Sequence, residues 1–287
     1  MGHLPHLDAT HLLTRLRESP TPYAAVEVHA SVASTNALAS ERPRWTVVVA
    51  DEQTAGRGRL GRAWSTPPGR ALAVSVLVPP TEAPAWLPLA TGLAVREAVA
   101  EVASLDTVLK WPNDVLVPAD GERKVCGILC ELVAGGRDDG GGGTSSAGSG
   151  GFPDTHPIAG GPDINGGVVV GVGLNVSQTR EELPVETATS LALAGASGVD
   201  RESLLVAYLV RLARWHATLR GGPERLREAY ATACATLGAD VVVHLPGGER
   251  MTGRATGIDA HGRLVLATSA GTRSVAAGDV VHVRRGR

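Results

Sequence analysis

The sequence has 287 residues and a composition that allows a large core while arguing against several classes of protein. Hydrophobic residues make up 43% of it, enough for one large domain and a small one. The formal net charge of −2 gives no overall attraction to nucleic acid or to acidic membranes. With three cysteines, no signal peptide and no long apolar span, we expect a reduced, cytoplasmic protein that has no membrane partner.

The first fifty residues alternate helical and extended patterns. Residues 8–18 predict a short helix with Asp8 as its cap, and residues 23–29 predict a strand. The triplet Ser34-Thr35-Asn36 precedes an apolar stretch and predicts a helix N-terminus, where free N–H groups can hold polar ligands. Residues 46–50 predict a buried strand.

Residues 51–69, DEQTAGRGRLGRAWSTPPG, are the most unusual stretch of the chain. Glycine lets the backbone approach a ligand closely, and arginine offers a planar fork that suits carboxylates and phosphates. The pattern predicts a mobile cationic loop that closes over an anion, with a solvated basic linker as the plainer alternative. It also matches G-x-G-x-x-G, but Pro67-Pro68-Gly69 follows where a dinucleotide fold would open a helix, which argues against that fold.

The middle of the chain predicts a sheet interrupted by a flexible insert. Strands are expected at 70–79, 107–111, 115–117, 124–133 and 167–176, and an alanine-rich helix at 85–103. The insert at about 135–165 is rich in glycine and serine, and its flanks are both β-rich. We interpret it as an expanded hairpin loop, poorly ordered and dispensable over 136–160.

The last third predicts two helices followed by a small β domain. The helices are expected at 201–220 and 223–236. Short strands are then expected at 240–245, 250–258, 263–268, 272–276 and 280–284, separated by glycine turns. Five short strands in about 50 residues predict a small closed β-barrel of the SH3 type. We therefore divide the chain into a catalytic domain at 1–236 and a C-terminal domain at 237–287.

Several strings place polar groups at the ends of strands, and their combination is specific. They are STN, QTAGRGRLGRAW, KWPNDVL, KVCGIL and GVGLNV. In this combination the chain resembles biotin–protein ligases, from about residue 25 to 285 and with the insert as the main departure. The resemblance implies an α+β fold, with a mixed β-sheet flanked by helices, like that of class II aminoacyl-tRNA synthetases, and a small SH3-like barrel.

The resemblance also implies a two-step reaction. Biotin and ATP form biotinyl-5′-AMP and pyrophosphate, and a lysine of a biotin carboxyl carrier protein, a subunit of an acyl-CoA carboxylase, then takes the biotin. Mg²⁺ is expected because ATP is, although no carboxylate cluster marks a site for it. Only about 33 residues precede Ser34, fewer than a usual domain, so we expect no DNA-binding repressor function. The sequence does not define the oligomeric state.

The site residues follow from the matched strings and fit the chemistry. Joining a carboxylate to a phosphate requires fixed positive charge in a dry site. The expected catalytic residues are Lys124, Arg57 and Asp114, with turn-capping as the alternative role of Asp114. The expected biotin-binding residues are Ser34, Thr35, Asn36, Gln53, Gly56, Arg57, Gly58, Arg59, Lys124 and Gly127. The expected ATP-binding residues are Arg59, Arg62, Trp64, Lys110, Asn113 and Asn175, with a core position as the alternative for Trp64.

Two other functions stay open on the sequence alone. A lipoate–protein ligase or octanoyltransferase would share the catalytic fold, and the acid that becomes an adenylate would distinguish it. A non-enzymatic nucleic-acid-binding protein could use the basic loop and the small barrel. The net charge and the lack of interleaved aromatic residues argue against that second alternative, so we expect no nucleic-acid partner.

Overall fold

The computed structural model describes residues 6–134, 158–159 and 166–283. Its helices are α1 (Ala9–Arg17), α2 (Thr35–Ala39), α3 (Leu87–Ala103), α4 (Arg201–Thr218) and α5 (Glu224–Ala233). The strands of its first sheet are β1 (Ala25–Val32), β2 (Thr46–Arg57), β3 (Ala63–Thr66), β4 (Ala71–Val78), β5 (Val108–Lys110), β6 (Asp114–Val117), β7 (Arg123–Ala134), β8 (Ile158–Ala159) and β9 (Gly167–Asn175). The strands of its second sheet are β10 (Asp240–His244), β11 (Arg250–Ile258), β12 (Leu264–Thr268), β13 (Gly271–Val275) and β14 (Asp279–His282).

The first sheet is mixed, as the sequence predicts. Its strand order is β1-β2-β4-β9-β7-β6-β5, and β3 and β8 add to β2 and β7. The β1–β2 and β7–β8 pairs are parallel, whereas the other pairs are antiparallel. Every residue of β4 is buried, which is typical of a central strand covered on both faces. Helices α3 and α4 bury long apolar stripes and complete the main core.

The interpretation of residues 124–176 as an expanded hairpin is confirmed. β7 and β9 are antiparallel neighbours, paired from Cys126 with Leu174 to Val133 with Gly167. The predicted behaviour of the insert falls almost wholly outside the described residues. The described exception is β8, two residues that pair in parallel with the end of β7.

The arginine–glycine stretch is a paired ribbon in this structure, where the sequence predicts a mobile loop. β2 continues through Arg57, and β3 returns beside it after a 3-10 turn at Arg59–Gly61. The chain reverses through left-handed backbone at Leu60 (φ 56°) and Gly61 (φ 70°). The pairing satisfies backbone N–H and C=O groups that an open loop would leave to water. No helix follows the glycines, which agrees with the rejection of a dinucleotide-binding turn.

The prediction of a closed C-terminal barrel is wrong. The five strands form an antiparallel sheet in the order β13-β12-β11-β10-β14, and among the described residues β13 and β14 do not pair with each other. Closing a barrel requires the two edge strands to meet along their length. Four of the five residues of β13 are exposed, so this edge faces solvent. The size and strand content remain SH3-like.

Two tryptophans join the second sheet to the first. The indole Nε1 of Trp86 donates to the Ala260 carbonyl oxygen at 2.9 Å, and that of Trp111 donates to the Gly262 carbonyl oxygen at 3.0 Å. Both rings are almost fully buried, so each bond lies in an apolar setting where losing it is costly. This attachment brings β14 to the edge of the first sheet. None of the described helices has the length and apolarity needed to cross a bilayer.

Candidate active site

A cavity of about 830 Å³ lies over the first sheet, enclosed by the β2–β3 ribbon and by β14. Of the residues that the sequence assigns to biotin, ATP or catalysis, all but Gly56 line it. They are Ser34, Thr35, Asn36, Gln53, Arg57, Gly58, Arg59, Arg62, Trp64, Lys110, Asn113, Asp114, Lys124, Gly127 and Asn175. The structure thus brings together residues from strings that are more than a hundred positions apart.

One end of the cavity is a buried cluster of hydroxyl and amide groups. Ser34 caps α2 by accepting from the Ala37 N–H, which places Thr35 and Asn36 in the first turn. The Gln53 Oε1 atom accepts from the Thr35 backbone N–H at 2.9 Å and lies 3.0 Å from the Thr35 Oγ1. These groups are neutral and hold each other in fixed orientations, as a site for a neutral polar ring requires.

Beneath that cluster lie two partners that the sequence analysis did not assign. Ser75, fully buried on β4, places its Oγ 2.8 Å from Thr35 Oγ1 and 2.6 Å from Asn36 Oδ1. Glu131 on β7 accepts from Asn36 Nδ2 at 2.6 Å. The sequence did contain a signal for both residues, because each is a polar residue that interrupts an otherwise apolar strand.

The other end of the cavity carries positive charge around one carboxylate. Lys124 Nζ lies 2.6 Å from Asp114 Oδ1, and Lys110 Nζ lies 4.0 Å from Asp114 Oδ2. These are the two lysines of the whole sequence. Burial lowers the pKa of Lys110 from its usual value, although nearby Asp114 acts in the opposite direction. Both amines of the site therefore lie against Asp114, and Glu122 also acts on Lys110.

Arginines from the ribbon close two sides of this charged end. Arg59 donates to Asn113 Oδ1 at 3.1 Å, and Asn113 Nδ2 in turn donates to the Ile128 carbonyl oxygen at 3.0 Å. Arg62 forms an ion pair with Asp279 of β14. Arg57 also lines the cavity and is exposed to solvent. The ribbon is therefore tied both to the turn after β5 and to the second sheet.

The floor between the two ends is bare backbone covered by one indole. A Cβ on Gly173 would lie 2.3 Å from Trp64 Nε1, and one on Gly127 would lie 3.0 Å from Trp64 Cζ3. The Lys124 ammonium lies 5.4 Å from the centre of the Trp64 ring, within the range of a cation–π contact. Trp64 is thus a cavity residue rather than a core residue.

Gly56 has a different position from the one expected. It lies outside the cavity lining, at a bulge where the pairing of β2 with β3 shifts. A Cβ there would lie 1.9 Å from Gln53 Nε2 and 2.3 Å from the Trp64 carbonyl oxygen. Gly56 therefore makes room for the Gln53 amide, because a larger residue would displace it.

A segment without regular structure, residues 176–200, forms a wall that the sequence analysis did not predict. Gln178, Glu182, Leu183, Pro184, Val185, Thr187 and Ala188 line the cavity. The Lys124 N–H donates to the Thr187 carbonyl oxygen, and the Thr189 N–H donates to the Lys124 carbonyl oxygen, both at 2.8 Å. Asn175 Nδ2 donates to the Thr189 carbonyl oxygen at 2.9 Å. Asn175 thereby anchors this wall.

The described part of the chain holds no cluster of three or more histidine, cysteine, aspartate or glutamate side chains suited to a metal ion. The carboxylates that line the cavity are Asp114, Glu122, Glu182 and Asp279. Three of them already pair with cations, Asp114 with the lysines, Asp279 with Arg62 and Glu182 with Arg70. The described residues therefore do not form a dedicated magnesium cage.

Comparisons with known proteins agree with this architecture. The biotin/lipoate A/B protein ligase family matches residues 28–141, and the biotin protein ligase C-terminal domain matches residues 236–283. A biotin–[acetyl-CoA-carboxylase] ligase of Mycobacterium tuberculosis is 35% identical over 98% of this chain and 97% of that protein. A biotin–[acetyl-CoA-carboxylase] ligase of Paracoccus denitrificans is 32% identical over 81% of this chain and 88% of that protein.

Solved structures of biotin protein ligases are also similar to this chain. The biotin protein ligase of Aquifex aeolicus, in complex with biotin and ATP, superposes with a TM-score of 0.70 and 28% identity. The match covers 91% of this chain and 99% of that one. The fold, the cavity residues and both sheets thus all indicate one family, and the chain is an enzyme of the biotin–protein ligase family.

Proposed function

We propose that this enzyme forms biotinyl-5′-AMP from biotin and ATP and then transfers biotin to one lysine of a biotin carboxyl carrier protein. The observation that carries the proposal is the two-ended cavity. It has neutral amides and hydroxyls at Thr35, Asn36 and Gln53, and two lysines at the opposite end. A cyclic urea with a carboxylate tail has the same polarity, with a neutral polar ring at one end and an anion at the other.

In the first step, a carboxylate oxygen of biotin attacks the α-phosphorus of ATP, and pyrophosphate leaves. The two reacting groups are both anionic, so fixed cations are needed to bring them together. Lys124 is suited to lie between them because its ammonium reaches the cavity beside Trp64 and the glycine floor. We assign Arg59 and Lys110 to phosphate oxygens on the same side, and Arg57 adds charge at the exposed rim.

In the second step, the amine of the carrier lysine attacks the acyl carbon, AMP leaves and the amine loses a proton. Asp114 is the carboxylate nearest to both cavity lysines, and we assign it the role of proton acceptor. This role requires its pair with Lys124 to loosen once the α-phosphate has engaged that lysine.

The nucleotide is expected to bind as MgATP. The described residues offer no metal cage, so the ion enters bound to the phosphates rather than as a resident cofactor. A cytoplasmic location is part of the proposal, since the reaction consumes ATP and all three cysteines are buried and free of disulfides.

The test is to incubate the protein with MgATP, one acid and a biotin carboxyl carrier domain. Pyrophosphate release reports the first step, and the mass of the carrier reports the second. We expect both signals with biotin and neither with lipoic or octanoic acid. Activity with lipoic or octanoic acid in place of biotin would instead support a lipoate or octanoate ligase.

A further inference from the structure

We propose that Glu131 is a positioning residue for biotin recognition. By accepting from Asn36, it fixes which end of that amide is available as an acceptor in the cavity. The inference rests on the proposed function, since it concerns how the same site recognises the ureido ring of biotin. It adds a residue that belongs to none of the matched strings.

The Asn36 amide is held in one orientation by its neighbours. Its Nδ2 donates to Glu131 Oε2 at 2.6 Å and contacts the Leu129 carbonyl oxygen at 3.4 Å. Its Oδ1 lies 2.6 Å from Ser75 Oγ and packs against Gly171, where a Cβ would lie 2.0 Å away. The short bond to Glu131 is charge-assisted, and such bonds are roughly twice as strong as neutral ones.

The hydroxyl groups of this cluster have fewer hydrogens than short oxygen contacts. Three short oxygen contacts link Gln53 to Thr35, Thr35 to Ser75, and Ser75 to Asn36. The two hydroxyl groups have one hydrogen each, and Gln53 Oε1 already accepts the Thr35 N–H. Gln53 Oε1 has a second lone pair, so the Thr35 hydroxyl donates to it, the Ser75 hydroxyl faces Thr35 Oγ1 and Asn36 Oδ1, and Asn36 Nδ2 donates to Glu131.

The reversed amide is excluded by charge. It would place Asn36 Oδ1 2.6 Å from a carboxylate oxygen of Glu131, and both atoms are acceptors with no hydrogen to share. Between two neighbours that could each donate or accept, a side-chain amide would have no preferred orientation. The fixed negative charge of Glu131 therefore sets the orientation of the Asn36 amide and leaves its Oδ1 to accept from Ser75.

The consequence for the ligand is a matched set of donors and acceptors. Asn36 Oδ1 keeps a second lone pair for an N–H group of the ligand. Gln53 Oε1 is occupied by Thr35, while Gln53 Nε2 lies 3.5 Å from the Trp64 carbonyl oxygen, at the limit of a hydrogen bond. That amide therefore offers a donor. A cyclic urea presents N–H groups and one carbonyl oxygen, so it fits this arrangement, whereas a dithiolane ring presents neither.

The test is a set of substitutions measured by calorimetric binding of biotin and by steady-state adenylation. In Glu131→Gln a neutral bond replaces the charge-assisted one, and we expect a loss in biotin affinity of about fivefold. In Glu131→Leu the Asn36 donor keeps only its 3.4 Å contact with the Leu129 carbonyl oxygen, and we expect a loss of about tenfold or more. Asn36→Asp sets two carboxylates against each other and should bind biotin most weakly of all.

The decisive variant exchanges the two groups. In the double variant Asn36→Asp with Glu131→Gln, the aspartate can only accept, so it receives both Ser75 and the new amide in the original orientation. We expect biotin affinity within about threefold of the Glu131→Gln variant. The matched control is Glu27→Gln on β1, a glutamate paired with Arg42 away from the cavity, which should leave biotin affinity unchanged.

The inference also predicts where the loss appears. KM for biotin should rise while kcat and KM for ATP stay within about twofold, because positioning of the ring adds uniform binding energy. Wild-type affinity in Glu131→Leu would overturn the inference, and so would a loss confined to kcat. Failure of the exchange to recover affinity in a folded protein would do the same. Wild-type protein that binds no biotin would instead overturn the proposed function on which the inference depends.

Discussion

The ammonium group of Lys124 is the side chain on which the proposed chemistry depends most. It lies between Asp114 at 2.6 Å and the face of the Trp64 ring, so both neighbours hold it at the charged end of the cavity. Removing one partner of a desolvated charge pair costs about 3–5 kcal/mol. At about 1.4 kcal/mol per factor of ten, Lys124→Ala should slow adenylation by about a hundredfold or more.

Pyrophosphate release from the folded Lys124→Ala variant is the measurement. The matched control is Arg123→Ala, which removes the neighbouring cation of β7. That arginine pairs with Asp120 outside the cavity, so the control should keep its rate. Near-normal release from Lys124→Ala would exclude the catalytic role of this lysine.

Lys110 gives a prediction about pH. Burial lowers the pKa of its ammonium, so on raising the pH it loses its charge earlier than an exposed lysine would. A phosphate contact made by the charged form is then lost on the alkaline side. We expect kcat/KM for ATP, which reports the free enzyme, to fall at a lower pH in the wild type than in Lys110→Arg. Arginine keeps its charge throughout that range, so coincident alkaline limbs would show that Lys110 does not titrate against ATP.

Among the elements, strand β9 contributes a floor without side chains. Gly173 lies under the Trp64 indole so closely that a Cβ would come within 2.3 Å of Nε1. Gly173→Ala must therefore displace the indole or distort the strand, at a typical cost of about 1–3 kcal/mol. We expect adenylation to fall by about tenfold or more. Gly257→Ala on β11 is the matched control, since a Cβ there meets nothing within 4 Å, and similar rates in the two variants would contradict the packing argument.

The β2–β3 ribbon carries the prediction about retention of the intermediate. Arg59 joins the ribbon to Asn113, so Arg59→Gly loses an anchor and gains backbone freedom. The adenylate should still form but leave the site faster, because weaker closure appears mainly in the off-rate. Biotinyl-AMP that escapes acylates exposed lysines, so serum albumin added to the reaction should be labelled by the variant and not by the wild type.

Asn113→Ala is the matched comparison, because it removes the other partner of the Arg59–Asn113 bond. If the Arg59–Asn113 bond is the anchor, the single variants and the double variant should release adenylate at similar rates. Additive effects would show that each residue acts alone. Equal and negligible labelling of albumin by all forms, with adenylate still made, would show that Arg59 is not a latch.

At the scale of the whole molecule, the second sheet completes the cavity of the first. Asp279, Val281 and His282 of β14 line it, and Arg62 reaches Asp279 from the ribbon. Trp86 and Trp111 hold the two sheets together through buried bonds to residues 260 and 262. The small C-terminal unit is therefore part of the site rather than an appendage.

The sequence predicted the parts of this molecule that depend on residues close together in the chain. The bounds of α1, α3, α4 and β11 follow from periodicity and caps, and the strings around Arg59, Asn113 and Lys124 identified the cavity. It did not identify Ser75 as a partner of Asn36, because that contact joins residues 39 positions apart and depends on strand register. The wall at 176–200 was missed for a related reason, since it has no periodicity and is held by backbone bonds to β7.

The barrel prediction failed for a reason of the same kind. Short strands separated by glycine turns predict neighbours along the chain, and β10 to β13 do pair in that order. Whether the first and last edges meet depends on tilt and twist accumulated over all the strands, which no local pattern contains. The same turns that identify the strands therefore leave closure undetermined.

The distribution of basic residues has a consequence for the enzyme's own exposure to its product. The sequence contains 25 arginines and 2 lysines, and both lysines lie in the cavity beside Asp114. An acyl adenylate reacts with amines, whereas a guanidinium stays protonated and does not compete. The outer surface therefore offers the intermediate no lysine acceptor, and intact mass after incubation with biotin and MgATP should show none of the lysines acylated. Arg62→Lys, which places one amine on the cavity wall, should become self-labelled. An enzyme that handles a lysine-directed reagent thus has an exterior without lysines for that reagent to acylate.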